Sequence, residues 1–175
     1  MVDGLGELVA EAAGPYPEAF ANPVGWRSGL IDLCRQLPGR VRGAIGALAI
    51  DGTSGTLLLC RPNGDLVGGG LDLALPYSQA CPEHKDHACA LAGANSPAAS
   101  ASGSLARALR LLTSAEDMGL AGPWLLRHQA DWLMGWLLGD WRWGEEGNNL
   151  RLGWDLQAQC WGGSIPSQPW SSALP

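Results

Sequence analysis

Ile50-Asp51-Gly52-Thr53-Ser54-Gly55-Thr56, continued by Leu57-Leu58-Leu59-Cys60, sets small hydroxyl and glycine residues between two apolar runs. The run before it, "AIGALAI" over 44–50, predicts a buried strand, "DGTSG" a turn, and "TLLLC" over 56–60 a second strand. The turn has two readings. Gly52 and Gly55 let backbone amides approach a ligand, Thr53, Ser54 and Thr56 supply hydroxyls, and Asp51 supplies an acceptor, a set suited to polyol or phosphate oxygens. The same residue types also make ordinary tight hairpins. On residue chemistry alone both readings stay open.

Outward from that stretch, Arg61-Pro62-Asn63-Gly64 predicts a second turn. Upstream, "GELVAEAAGPYPEAF" over 6–20 predicts a strand running into a proline-broken loop. A helix follows: Asn22 can cap it and Pro23 can open it. Trp26, Leu30, Leu33 or Cys34, and Leu37 then recur at helical spacing until Pro38-Gly39. Downstream, the Ala-, Ser-, Pro- and Gly-rich segment from Ser78 to Gly103 lacks periodicity and predicts a long excursion. Helix resumes at Ser104, with Leu105, Leu109 and Leu112 on one face. A further helix over "QADWLMGWLLG", 129–139, is apolar nearly all round after Asp131, predicts extensive burial, and stops at Gly139. Beyond Gly153 the pattern fades, and "WGGSIPSQPWSSALP" predicts an irregular tail.

A length of 175 residues supports one ordinary domain core. The net charge of −6, with Lys85 the single lysine, argues against nucleic-acid and anionic-lipid partners. The start, "MVDGLGELVAEAAG", lacks the basic and apolar regions of a secretory signal, so the expected location is cytoplasmic. The densest apolar run, Trp132 to Leu138, is too short to span a bilayer, and no membrane partner is expected. Five cysteines, an odd number, predict free thiols in a reduced compartment. Cys81, His84, His87 and Cys89 fall within one short stretch. They admit a zinc site, a Cys81–Cys89 disulfide or a solvated polar loop, and because the Cys-x-x-His-x-x-His-x-Cys spacing is unfamiliar for zinc, no metal is expected. Gln129 and Asp131 open a helix, where a carboxylate first serves the helix dipole. Trp141, Trp143, Trp154 and Trp161 predict burial of large rings near the C-terminal end.

Taken in order, "ALAIDGTSGTLLLC", "LPYSQACP", "SGSLARALRLL", "HQADWLMGWLLG" and "NNLRLGWD" resemble segments of the FGGY carbohydrate kinases, in the pentulose-kinase branch of xylulokinase-like and ribulokinase-like enzymes. The resemblance runs from about Gly6 to Asp155. It implies an α/β, ribonuclease H-like (actin-like ATPase) first domain over 1–155 with an irregular tail over 156–175. It also implies ATP- and Mg2+-dependent phosphorylation of a pentulose such as D-ribulose or D-xylulose. In that family the turn faces the sugar, which makes Ser54 a substrate contact, Asp51, Gly52, Thr53 and Tyr77 lining residues, and Gln129, Asp131 and Asn148 further cleft candidates.

Departures from the family accompany the likeness. Ser78 stands where Asn is usual and Glu145 where an Asp would align, which bears on sugar specificity, and "CPEHKDHAC" has no family counterpart. The family's opening phosphate loop, resembling "DFGTSG", has no match ahead of "DGLGELVAEA", and the second actin-like domain, with the adenosine pocket and the general-base aspartate, has none either. The expectation is a partial first domain, incomplete at its N-terminal strand, that binds ATP and Mg2+ poorly and is inactive alone. Its exposed apolar surface would favour self-association or a complementary chain. The alternative reading is a non-catalytic sugar-binding or protein-interaction module.

Overall fold

Four consecutive apolar residues with no polar alternation can form a strand only where both faces are covered, and Leu57–Cys60 does so as β1, with every residue buried. In the computed structural model, which describes residues 1–175, β1 pairs antiparallel with β2, Leu125–His128, in the register Leu57↔His128 to Cys60↔Leu125. Isolated bridges from Leu75 to Leu57 and from Leu66 to Cys60 extend the pairing. The turn at Arg61–Gly64 forms as predicted. Gly64 sits at φ +81°, and a Cβ there would lie 2.1 Å from the Trp141 ring, so both backbone and packing require glycine.

One face of β1 is covered by a helix, Ser104–Asp117, whose Leu105, Leu109 and Leu112 enter the core at the spacing predicted. A shorter helix, Lys85–Ala92, packs beside it and follows a 3-10 turn at Pro82–His84. That helix corrects the reading of 78–103 as one structureless excursion. Its buried contacts are Ala88 and Leu91 alone, too few to register as periodicity. The predicted helix at 129–139 is present over Gln129–Leu138, closed by Gly139 in the left-handed conformation. Its buried residues run from Gln129 to Leu133 and include Gly135, while Leu137 and Leu138 are exposed. A one-turn helix at Glu146–Asn149 leads to a small antiparallel pair, β3 (Trp154–Asp155) with β4 (Cys160–Trp161). The tail carries β4 and two 3-10 turns, Ile165–Ser167 and Ser171–Ala173, and sends Ile165, Ala173 and Leu174 into the same core as β1.

The chain divides into two compact units, Met1–Ile50 and Asp51–Pro175. In the first, the predicted helix forms over Pro23–Gln36, with the Asn22 side chain accepting from Val24 N at 3.1 Å and Pro23 in the opening turn. A single turn follows at Gly39–Arg42. Numbered in chain order, these two are α1 and α2, and the helices at Lys85–Ala92, Ser104–Asp117, Gln129–Leu138 and Glu146–Asn149 are α3 to α6. Two strand predictions are corrected here. Residues 44–50 form no strand and are largely exposed. Gly46, Ala47 and Ala49 offer little area to bury, and no neighbouring strand satisfies the backbone there. The predicted strand in 6–20 reduces to one bridge, Val2↔Leu8, closed by Asp3 N donating to Glu7 O at 3.0 Å. The molecule is thus a mixed α and β structure of six helices and two two-stranded sheets, and no helix is long and apolar enough to cross a membrane.

Burial of Cys60 against β2 pushes its thiol pKa from 9.0 up to about 12, with Arg127 opposing the rise. The unfolded thiol ionises first, so this contribution to stability is complete below pH 9 and declines as pH rises toward 12. Cys60→Ala should remove that dependence. Between pH 9 and 10 the native chain should lose roughly 1 kcal/mol more stability than the variant, read from urea unfolding at each pH.

Candidate functional site

The two readings of the Asp51–Thr56 turn are separated by where its polar groups go. Thr53 N donates to Gln129 Oε1 at 3.1 Å, and the Thr53 hydroxyl lies 3.1 Å from the same oxygen and donates to Thr56 Oγ1 at 2.6 Å. Thr56 Oγ1 also accepts from Tyr77 N at 3.1 Å, and Gln129 N donates to Thr56 O at 3.2 Å. Asp51 Oδ1 accepts from Gly52 N at 2.8 Å. A Cβ on Gly52 would stand 3.1 Å from Ala130 N, so glycine permits the close seat of the turn on α5. Two hydroxyls are therefore used inside the protein, while Ser54 is exposed and makes no hydrogen bond within it. Tyr77, half exposed, is held beside the turn, its Cβ 3.9 Å from where a Gly55 Cβ would project.

Of the predicted site residues, the structure brings Asp51, Gly52, Thr53, Ser54, Tyr77 and Gln129 together. Asp131 and Asn148 are buried behind them. Asp131 Oδ2 is 3.2 Å from His128 Nδ1, His128 Nε2 is 3.1 Å from Ser104 Oγ, and Asp131 Oδ1 accepts from Glu145 N at 3.0 Å. Glu145 in turn caps α6, accepting from Gly147 N and Asn148 N, each at 2.7 Å. Ser104, His128 and Asp131 follow the order of a nucleophile, its base and an orienting carboxylate. Ser104 and His128 have no exposed surface, so no external substrate reaches the hydroxyl. What the chain of bonds does is tie α4, β2, α5 and α6 behind the turn.

Sequence reasoning passed over Arg107. This residue is fully buried; its Nε donates to Pro76 O and Gln79 O, each at 3.0 Å, and its Nη2 donates to Tyr77 O. One guanidinium thus gathers the carbonyls of the loop that presents Tyr77. Burial pulls its pKa down, with Cys81 opposing the fall, and an arginine there remains cationic near neutral pH. A signal existed: Ser104, Arg107, Leu111 and Ala115 share a helical face that is otherwise small or apolar.

Gly52 N and Thr53 N of the turn already donate to Asp51 and Gln129, so these two amides are not open to phosphate oxygens. The Cys81–Cys89 stretch is split between a loop and α3, and all five cysteines are free thiols. No protein-family model matches the chain.

Proposed function

We propose that the Asp51–Thr56 turn and Tyr77 form the sugar-facing edge of a ribonuclease H-like lobe of the FGGY carbohydrate-kinase type. It takes a pentulose such as D-ribulose or D-xylulose, the substrate class that enzymes of that type phosphorylate with ATP. The observation that carries this reading is the division of labour in the turn. Thr53 and Thr56 are spent on holding it to α5 and the Tyr77 loop, and Ser54 is left exposed at its tip. A hydroxyl on a fixed turn can both donate to and accept from a sugar hydroxyl at little ordering cost. The neighbouring phenol adds an amphipathic surface with a polar tip.

Calorimetric titration with D-ribulose and with D-xylulose tests the reading. Saturable binding of at least one pentulose is expected, weakened by Ser54→Ala by about 1 kcal/mol, roughly fivefold. Binding unaffected by that substitution, or no binding, contradicts it. A coupled assay with Mg-ATP on the same chain is expected to show no turnover, and clear magnesium-dependent turnover would overturn the expectation that the lobe is inactive alone.

A further inference from the structure

A second concave site lies away from the turn, where the β3–β4 hairpin meets the exit of α3. It is a cleft of about 630 Å3, within the usual range for small-molecule sites. Trp154, Asp155 and Gln157 stand on the hairpin side and Asn95 on the side of the loop after α3. Both walls are fixed. Trp154 meets Trp161 edge to face at 5.4 Å, and its Nε1 donates to Glu146 Oε1 at 3.2 Å. Gly162 N donates to Gly153 O at 2.8 Å, and Ser164 N donates to Leu91 O at 2.9 Å. At Gly163, φ +58°, a Cβ would fall 2.0 Å from Leu91 O, so the hairpin seats on α3 through a position only glycine can occupy.

The lining states what this cleft can take. It carries an immobilised indole, the side-chain amides of Asn95 and Gln157, and the carboxylate of Asp155, with no lysine or arginine. Asp155 Oδ1 accepts from Gln157 N and Ala158 N at 2.9 and 3.0 Å, and no protein group bonds Oδ2. Amides and a carboxylate beside an aromatic surface match the alternating hydroxyl and C–H faces of a sugar ring. One acidic group and no cation disfavour phosphates, uronates and other anions. We propose that this cleft binds a neutral saccharide larger than a pentulose, independently of the Asp51–Thr56 turn.

The test uses the full chain, 15N-labelled and titrated with xylobiose, cellobiose and maltose, with digalacturonic acid as the charged comparison. The Trp154 indole N–H resonance is followed. At least one neutral disaccharide should shift that resonance saturably. Asn95→Ala, on an exposed loop that does not hold the fold, should weaken binding about tenfold, as loss of one hydrogen-bonding side chain would. Ser54→Ala should leave it unchanged. The proposal fails if no neutral disaccharide shifts the resonance, if digalacturonate binds as tightly, or if Asn95→Ala has no effect. Pentulose binding that depends on Ser54 would survive any of these results.

Discussion

Arg107→Leu should lower the unfolding free energy by about 3 kcal/mol. Arg107 donates to the carbonyls of Pro76, Tyr77 and Gln79, and while Pro76 O also accepts from Gln79 N, the carbonyls of Tyr77 and Gln79 rely on the buried guanidinium. Each buried acceptor left unpaired costs about 1–3 kcal/mol, and new apolar contacts from leucine recover only part of the sum. Arg107→Lys should recover little, because an ammonium lacks the planar fork that reaches carbonyls on two sides. The measurement is the urea midpoint at unchanged m-value. A loss below about 0.5 kcal/mol would mean that the carbonyls find other partners or water, and that Arg107 does not hold the Tyr77 loop. The functional corollary is specific. Under conditions where Arg107→Lys stays folded, pentulose affinity should fall with it, because Arg107 holds the Tyr77 loop and packs beside Gly55 of the turn, its Nη1 3.4 Å from where a Gly55 Cβ would project.

The second large effect is expected at Asp131. Asp131→Ala strips the partner from the fully buried His128 Nδ1 and from the N–H of the exposed Glu145 at once. A destabilisation of about 1–3 kcal/mol follows, most of it from the orphaned buried imidazole, since water can replace the partner of Glu145 N. Asp131→Asn keeps an acceptor oxygen and should cost less than half as much. Equal losses for the two variants would show that the carboxylate charge, and not the hydrogen-bond count, matters at this position. Ser104→Ala provides the control at the far end of the same chain of bonds. It removes one partner of His128 Nε2 and should cost about 1 kcal/mol.

How much of this was legible in the residues depends on whether the deciding interaction is local. α1 was readable because Asn22 and Pro23 are start signals and Pro38 a stop signal written beside it. α5 was readable for the same reason, closed by a glycine that adopts φ +66°. The strand predicted at 44–50 failed because a strand needs a partner, and apolar composition does not name one. β1 has that partner in β2, about 70 residues downstream, whereas 44–50 has none. α3 was hidden because two buried side chains fall below any periodic pattern.

In the candidate site, the turn itself was visible at Asp51–Thr56, but its hydrogen-bond economy was not. Gln129 lies 76 positions from Thr53 and takes both its amide and its hydroxyl, a pairing no spacing rule anticipates. Asp131 was noticed as a carboxylate at a helix start. Its actual work, joining His128 to Glu145, depends on the folding of α6 against α5. Arg107 was overlooked because arginines are ordinarily exposed, and only tertiary packing turns this one into a cross-link.

The most direct test of the central claim is a map of backbone amide perturbations on adding D-ribulose to the 15N-labelled chain. Saturable shifts centred on Ser54, Gly55 and Tyr77 are expected, with the Trp154 hairpin unmoved. A map without saturable shifts, or one whose shifts leave Ser54 and Tyr77 untouched, would contradict the assignment of the turn as the sugar-facing edge.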